Sequence, residues 1–402
     1  MNLKIFAAPI ITDPISIFIY FTIVLAGIFY LGEVKALNKF FRIFPPLIWT
    51  YFIPMIGTTL GITPDSSTVY SFMSNTLLPA VLVLLIIPTD VKSIINLGPK
   101  AIGVMFSGTI GIVVGAIIAF GIGNYLFDLP AETWKGVAAL SGSWIGGSPN
   151  MMAISESINT PENIFGAFVV VDTVLAYSWL GILIALTAYQ DQIDTFFKAD
   201  NSHIKAINAK LSVDYDSHKI PLTLKWLAVI LGLGFGISKL CMAIGYKIPE
   251  MGDVLTHKSW GIIIVTTVSL LLALTKLRKI DYAGASQIGY YGLYLLLASI
   301  GAKADLQAIF DVPQFFVIGL IWLIIHIIIL FAGMRLFKAP IFLFATGSMA
   351  NIGGTASAPV VAAAYQPSMA PVGLLMAVIG SIAGTYLGFF VVAPLCQWIA
   401  GM

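Results

Sequence analysis

Two short stretches place chemistry-bearing residues inside otherwise apolar sequence. The first is Ser141-Gly142-Ser143-Trp144-Ile145-Gly146-Gly147-Ser148-Pro149-Asn150 and the second is Ser348-Met349-Ala350-Asn351-Ile352-Gly353-Gly354-Thr355-Ala356-Ser357. In the first, the Ser141, Ser143 and Ser148 hydroxyls and the Asn150 amide gather around Gly146 and Gly147. In the second, Ser348, Asn351, Thr355 and Ser357 surround Gly353 and Gly354. Hydroxyl, amide and carbonyl oxygens are hard donors suited to Na⁺. The N–H groups at the start of a half-helix suit a carboxylate. Glycine pairs and a proline interrupt a helix and free backbone groups, which hydrocarbon tolerates only where they are buried in protein or line a wet cavity. The competing use of the same small residues is close helix packing. A dense polar set around Gly-Gly, present twice, favours a binding role.

Three further polar residues stand out in apolar surroundings. Asp172 lies deep in Gly166-Ala-Phe-Val-Val-Val-Asp172-Thr-Val-Leu-Ala-Tyr177. A carboxylate at that depth is costly and faces an ion, a cavity or a partner, so it is a candidate to bind Na⁺ or to carry a proton. His326, inside Ile321-Trp-Leu-Ile-Ile-His326-Ile-Ile-Ile-Leu330, is a candidate proton relay because imidazole titrates near neutrality; the alternative is a neutral histidine bonded across helices. Asn75, just before Leu77-Leu78-Pro79, is a candidate cavity residue. Glu156 and Glu162 flank the exit of the first interrupted stretch, and Glu156 is placed to sit at a cavity mouth.

The elements that hold these residues follow from composition. The chain has 402 residues, 58% hydrophobic and 10% charged, with a mean hydropathy of +0.95. Soluble domains carry about 25% charged residues, so the expected fold class is an all-α, polytopic membrane protein. A net charge of +2 suggests no nucleic-acid partner. The two cysteines, Cys241 and Cys396, fit no metal or redox spacing. Apolar periodicity predicts twelve segments, at about 15–32, 43–60, 70–88, 100–124, 134–158 (broken), 162–189, 222–246, 257–276, 282–301, 312–334, 340–364 (broken) and 369–398. A polar linker, 190–221, separates six from six, which gives halves at 1–189 and 222–402.

The halves resemble each other. A shift of 207 carries Ser141, Ile145, Gly146 and Gly147 onto Ser348, Ile352, Gly353 and Gly354, and carries Gly166, Val171, Ala176, Leu180 and Gly181 onto Gly373, Val378, Ala383, Leu387 and Gly388. A shift of 215 aligns the stretch ending at Asp90 with the one ending at Asp305. One register held over tens of residues indicates duplication. Charge then tests topology. If every segment crosses, Lys and Arg split nine to twelve between the two faces. If the two broken segments dip in and return, fifteen fall on one face and only Lys4, Lys135, Lys239, Lys247, Lys258 and Lys303 on the other. The second arrangement obeys the positive-inside bias. It predicts ten crossings, both termini outside, the linker inside, and two halves of opposite orientation, as in the inverted repeats of secondary transporters.

The motifs Gly142-Ser-Trp-Ile-Gly-Gly-Ser-Pro-Asn150 and Asn351-Ile-Gly-Gly-Thr355 resemble those of the uncharacterised YjcL-like membrane proteins, and the resemblance covers nearly the whole chain. That family is grouped with the superfamily of cation:proton antiporters, bile-acid-type sodium symporters and glutamate:sodium symporters. The resemblance implies a core domain of crossed broken segments beside a scaffold domain, moving as an elevator. Substrate identity is not carried over.

The residues exclude several classes. No His-Glu-x-x-His, Gly-x-Ser-x-Gly or Walker loop occurs, so neither an enzyme nor an ATP-driven pump is expected, and no cofactor is called for. The expected function is a secondary transporter in a bacterial cell membrane, moving a small, anionic organic solute with Na⁺ or H⁺. A monovalent cation/proton antiporter using Asp172 is the alternative, and a channel or scaffold protein the reading from another class. Apolar helices outside the broken segments suit a homodimer interface.

Overall fold

The computed structural model describes residues 8–37, 40–41, 46–89, 97–199, 220–303, 313–366 and 369–401. Among these the chain is helical, with one isolated β-bridge between Met251 and Leu255. The first half contributes α1 (Pro14–Gly32), α2 (Pro46–Leu60), α3 (Thr68–Ile86), α4 (Gly98–Leu126), α5 (Thr133–Gly146), α6 (Ser148–Ser157) and α7 (Glu162–Ala185). The second contributes α8 (Leu224–Gly245), α9 (His257–Ala273), α10 (Ala285–Lys303), α11 (Gln314–Leu336), α12 (Ile341–Ile352), α13 (Gly354–Tyr365) and α14 (Ala370–Leu387, running on through a π-turn to Ala400). Each of the twelve predicted segments is thus one helix or, at 134–158 and 340–364, two. Most of the linker, and the Asp90–Asp305 match, lie outside the described residues.

Seven of the helices, α1, α3, α4, α7, α8, α11 and α14, are long and apolar enough to cross a bilayer. An eighth arises if α9 and the turn after it, bent by 94°, are taken as one span. The other segments expected to cross fall short for visible reasons. Among the described residues α2 has 15 and α9 has 17, against the roughly 20 that a span needs. Helix α10 is long enough, but Gln287, Tyr290, Tyr291 and Tyr294 dilute its apolar character.

Local sequence explains where helices begin. Asp13 caps α1 by accepting from the Ser16 amide at 2.8 Å, with Pro14 in the first turn. Thr223 and Thr256 cap α8 and α9 in the same way. Pro79 interrupts the ladder of α3, which accommodates it with a π-turn over Met73–Leu77.

The helices pack as two layers. Helices α4 to α7 and α11 to α14 form one, and α1 to α3 with α8 to α10 form the other. In the first layer α4 and α11, at matching places in the two halves, make the most extensive helix pair. Glycines allow their approach. A Cβ on Gly111 would lie 3.0 Å from the His326 backbone, and one on Gly115 would strike the Trp322 ring. Trp322, fully buried, donates its Nε1–H to the Ile112 carbonyl at 2.7 Å and packs against Trp144 with ring centres 4.8 Å apart.

Two helical hairpins enter this layer from opposite ends. The α5–α6 hairpin has its base near the start of α7, where the Lys135 ammonium donates to the Asn159 carbonyl at 3.4 Å and Gly136 abuts Ile164 and Phe168. The α12–α13 hairpin has its base near the other end of α7. There the Ile341 amide donates to Asp194 at 2.7 Å, the Phe342 and Tyr365 rings sit 6.3 Å apart, and the Tyr365 hydroxyl donates to the Leu183 carbonyl at 2.9 Å. Between the two bases, α7 rises about 36 Å at 1.5 Å per residue. The hairpin tips, Gly147 and Gly354, meet part-way along it: a Cβ on Gly354 would lie 3.4 Å from the Gly147 Cα.

Gly111→Leu should therefore destabilise the protein by about 1–3 kcal/mol through overpacking against the α11 backbone. The thermal midpoint of the purified protein in detergent reads this directly, and an unchanged midpoint would contradict the α4–α11 packing.

Candidate functional site

The backbone at each tip is the starting point. Gly147 has φ 91° and ψ 173°, a region essentially reserved for glycine, and Gly354 has φ 58°. These are the two residues that the 207 shift superimposes, so a positive φ recurs at matching positions, at the junction itself in the first hairpin and at the first residue of α13 in the second. Each tip ends one helix and begins another, and the first amides of α6 and α13 have no partner inside their own helices. The positive ends of both short helices therefore point at the place where the tips meet.

A cavity of about 310 Å³ opens there. Gly146, Gly147, Ser148, Pro149 and Asn150 line it from one hairpin, and Gly353, Gly354 and Thr355 from the other. Its remaining walls are Ser381 and Ile382 of α14, Tyr177 of α7, Leu82, Leu85 and Ile86 of α3, Leu270 of α9, and Tyr290, Leu293 and Tyr294 of α10. Phe29, Pro46 and Thr89, at or just past the ends of α1, α2 and α3, complete its lining. Among the described lining residues none is charged. The surface is thus an apolar and phenolic bowl with hydroxyls and helix N-termini at its floor.

Seven of the residues singled out in the sequence, Gly146, Gly147, Ser148, Asn150, Gly353, Gly354 and Thr355, line this one cavity despite a separation of about two hundred positions. Ser141, Ser143, Asp172, Ser348, Asn351 and Ser357 do not line it and are held by neighbouring helices or within their own. Asn150 stitches the first break: its Nδ2 donates to the Ser381 carbonyl at 3.2 Å, its Oδ1 accepts from Thr385 at 2.7 Å, and the Ser381 hydroxyl returns to the Gly146 carbonyl at 3.2 Å. Asn351 stitches the second, from before the break rather than after it. Its Nδ2 donates to the Gly347 carbonyl at 2.9 Å and the Met105 carbonyl at 3.3 Å, and its Oδ1 accepts from Thr109 at 2.9 Å. Ser141 bonds back to the Ala138 carbonyl at 2.6 Å, and Ser357 packs one turn into α13 beneath Gly353.

Asp172 reaches from α7 to α5. Its two oxygens accept from the Ser143 hydroxyl at 2.7 Å and from the Trp144 Nε1–H at 2.8 Å. It does not line the cavity. It is nonetheless close to the break by bonding, because the Ser143 carbonyl accepts from the Gly147 amide at 2.7 Å. His326 is fully buried between α4 and α12. Its Nδ1 faces the Gly108 carbonyl at 3.0 Å, which can only accept, so Nδ1 carries the hydrogen. Its Nε2, 2.9 Å from Ser348, accepts from that hydroxyl, which in turn accepts from Trp179 Nε1–H at 2.8 Å. Both nitrogens are thus engaged in an interhelical chain, and His326 is not among the residues lining the cavity. Asn75 lies apart from these residues. It projects exposed from the π-turn of α3 and lines no described cavity, because that turn rotates it outward.

The sequence reading missed Tyr177, Tyr290, Tyr294 and Ser381. The cluster Gly289-Tyr-Tyr-Gly-Leu-Tyr294 was the available signal, since phenols in the middle of an apolar segment need polar partners. Tyr290 finds one in Thr355, with hydroxyls 2.8 Å apart, so α10 touches the start of α13 directly.

Fold and site together define a multi-pass, all-helical membrane protein with two helix interruptions facing one internal cavity. The chain belongs to the family described as proteins of unknown function, DUF819, whose pattern matches residues 20–397. It is similar to the uncharacterized membrane protein YjcL of Bacillus subtilis (strain 168), with 25% identity over 351 residues that cover 84% of this chain and 86% of that one.

Gly147→Ala should lower stability by about 1–3 kcal/mol through backbone strain alone, because the added methyl meets nothing closer than Pro149 Cδ at 3.7 Å. Gly121→Ala, in open space within α4, is the matched control and should leave the thermal midpoint unchanged or slightly higher. Equal midpoints for the two variants would contradict the strained break.

Proposed function

We propose that this protein is a secondary transporter that binds a small, anionic organic solute where the two hairpin tips meet, and couples its movement to Na⁺ or H⁺. One observation carries the reading. The positions related by the 207 shift, Gly147 and Gly354, both take up a left-handed backbone and converge on one cavity at the N-termini of two short helices. Half-helix N-termini supply N–H groups and a positive dipole end to a carboxylate. The hydroxyls of Ser148, Thr355 and Ser381 and the freed carbonyls of the tips supply oxygen to a cation.

The halves 1–189 and 222–402 act in this reading as inverted repeats, with 134–158 and 340–364 as re-entrant broken segments. The opposed hairpin bases at the two ends of α7 support it. The layer that carries the hairpins is the moving core, and the other layer is the scaffold, as an elevator requires. The setting is the bacterial cell membrane, with termini outside and linker 190–221 inside. The partners are the lipid bilayer, the solute, the coupling cation and a second copy of the chain. Asp172 acts as the charge-balancing group. It senses the break through Ser143, whose hydroxyl it holds and whose carbonyl receives the Gly147 amide. An exchanger of monovalent cations for protons at Asp172 is the second reading, favoured by the closeness of that carboxylate to a break.

Two variants test the proposal. Asp172→Asn keeps an acceptor for Trp144 and lets the Ser143 hydroxyl reverse, so the thermal midpoint should hold within a few degrees while ion-coupled uptake is lost. Wild-type coupling in this variant would remove Asp172 from the mechanism. Gly147→Leu should fill the cavity floor and abolish the stabilisation that a bound small carboxylate gives the wild-type protein in Na⁺ buffer. Thermal shifts across a panel of carboxylates measure this, and an unchanged shift would move the binding site elsewhere.

A further inference from the structure

Four charged side chains meet across the boundary between the two layers, at the end of the molecule away from the cavity mouth. Glu156 is in the last turn of α6, and Glu162 is the first residue of α7. Lys258 is in the first turn of α9, and Lys303 is the last residue of α10. The Lys258 ammonium lies 3.2 Å from Glu156 Oε2. The Lys303 ammonium lies 3.6 Å from Glu156 Oε1 and 3.5 Å from Glu162. Both glutamates belong to the hairpin layer and both lysines to the other. The Thr256 hydroxyl adds a hydrogen bond to the Ser157 carbonyl at 2.9 Å across the same boundary. The side chains of Glu156, Lys258 and Lys303 are only 13–20% exposed. Beside them is a small pocket of about 190 Å³, lined by Ser155, Asn159, Thr160 and Phe165 among others.

The same helices show that this cluster and the central cavity lie at different depths. Helix α9 carries Lys258 at its start and the cavity residue Leu270 twelve positions on. Helix α10 carries Lys303 at its end and the cavity residue Tyr294 nine positions before. At 1.5 Å per residue these are axial separations of about 14–18 Å. The cavity mouth residues, Phe29, Pro46 and Thr89, belong to the helix ends on the far side from the cluster. Helix α6 spans the gap. Its first turn, Ser148 to Asn150, lines the cavity, and its last turn carries Glu156, eight positions from Ser148. A helix of ten residues moves as one body, so a shift at the cavity floor is delivered to Glu156.

We propose that Glu156, Glu162, Lys258 and Lys303 form the closed gate at the end of the molecule opposite the cavity mouth, coupled to the site through α6. This inference rests on the transporter reading for its meaning, but its test needs no solute. To open this end the two layers must part here, and each lysine must exchange its carboxylate for water. The part-buried pairs hold the end shut until a shift of α6 withdraws Glu156.

The test is cysteine labelling in lipid nanodiscs, where both ends are in reach of a water-soluble maleimide. Thr160→Cys reports the gate and Thr89→Cys reports the cavity mouth, with the buried Cys241 and Cys396 as unreactive background. Adding Glu156→Gln or Lys303→Met should raise labelling of Thr160→Cys by about tenfold or more, as expected for loss of a part-buried ion pair, and lower that of Thr89→Cys. Size-exclusion profiles identify any variant that misfolds, and the second charge variant then carries the test. Unchanged labelling at Thr160→Cys in a folded variant would overturn the gate. So would faster labelling at both positions, which reports loosening rather than exchange of access. Failure of the transporter reading shows separately, as the absence of any solute- or ion-dependent response in the unmodified protein.

Discussion

Backbone polar groups cannot be left bare in hydrocarbon, and the rest of this structure depends on how two breaks in the backbone meet that demand. At Gly147 and Gly354 the helical ladder stops inside the molecule. Side chains fixed by neighbouring helices brace both breaks, and one of them, the Ser381 hydroxyl, bonds the Gly146 carbonyl directly. Asn150 and Ser381 serve the first break, and Asn351, held to α4 by Thr109 and the Met105 carbonyl, anchors the helix leading into the second. Both tips line the cavity.

This constraint orders the surrounding helices. Gly380 and Gly384 of α14 are needed because the end of α5 runs against them; a Cβ on Gly380 would collide with the Ile145 carbonyl, and one on Gly384 with the Asn150 amide. Gly108 and Gly111 of α4 accept Asn351 and His326 at similarly short range. The polar pairs Ser143–Asp172–Trp144 and Trp179–Ser348–His326 then lock each hairpin's first helix against long helices. In both, the tryptophan is a buried donor whose partner fixes helix rotation. The layer that carries the hairpins is accordingly dense in interhelical hydrogen bonds. Few side-chain links cross to the other layer, among them Tyr290–Thr355, Thr267–Tyr386 and the Glu156 cluster.

Much of this was legible in the sequence because glycine and proline inside apolar runs have few explanations. The breaks at Gly146-Gly147 and Gly353-Gly354 fall where their spacing puts them, and the segment boundaries agree within a few residues at α1, α4 and α11. The linker prediction rests on charge and falls largely outside the described residues. What the sequence could not show was the partner of each buried polar group. Asp172 and His326 read alike as costly groups in apolar helices, yet Asp172 is tied one step from a break and His326 is tied to the α4 backbone. That distinction depends on helix rotation about neighbours hundreds of positions away. Asn75 lies in the π-turn before Pro79, exposed and outside the central cavity, a placement that depends on helical phase rather than on residue type. The tyrosine wall of α10 was overlooked because aromatic residues in an apolar segment look like packing until a cavity is seen beside them.

The central claim is that solute and ion act together at one site. It is tested most directly by recording charge displacement in proteoliposomes during Na⁺ jumps and pH jumps, each with and without small carboxylates. The account predicts a current that appears only when one ion and one carboxylate are present together. A displacement driven by Na⁺, K⁺ or H⁺ alone, indifferent to every solute, would contradict it and assign the carboxylate of Asp172 to cation exchange.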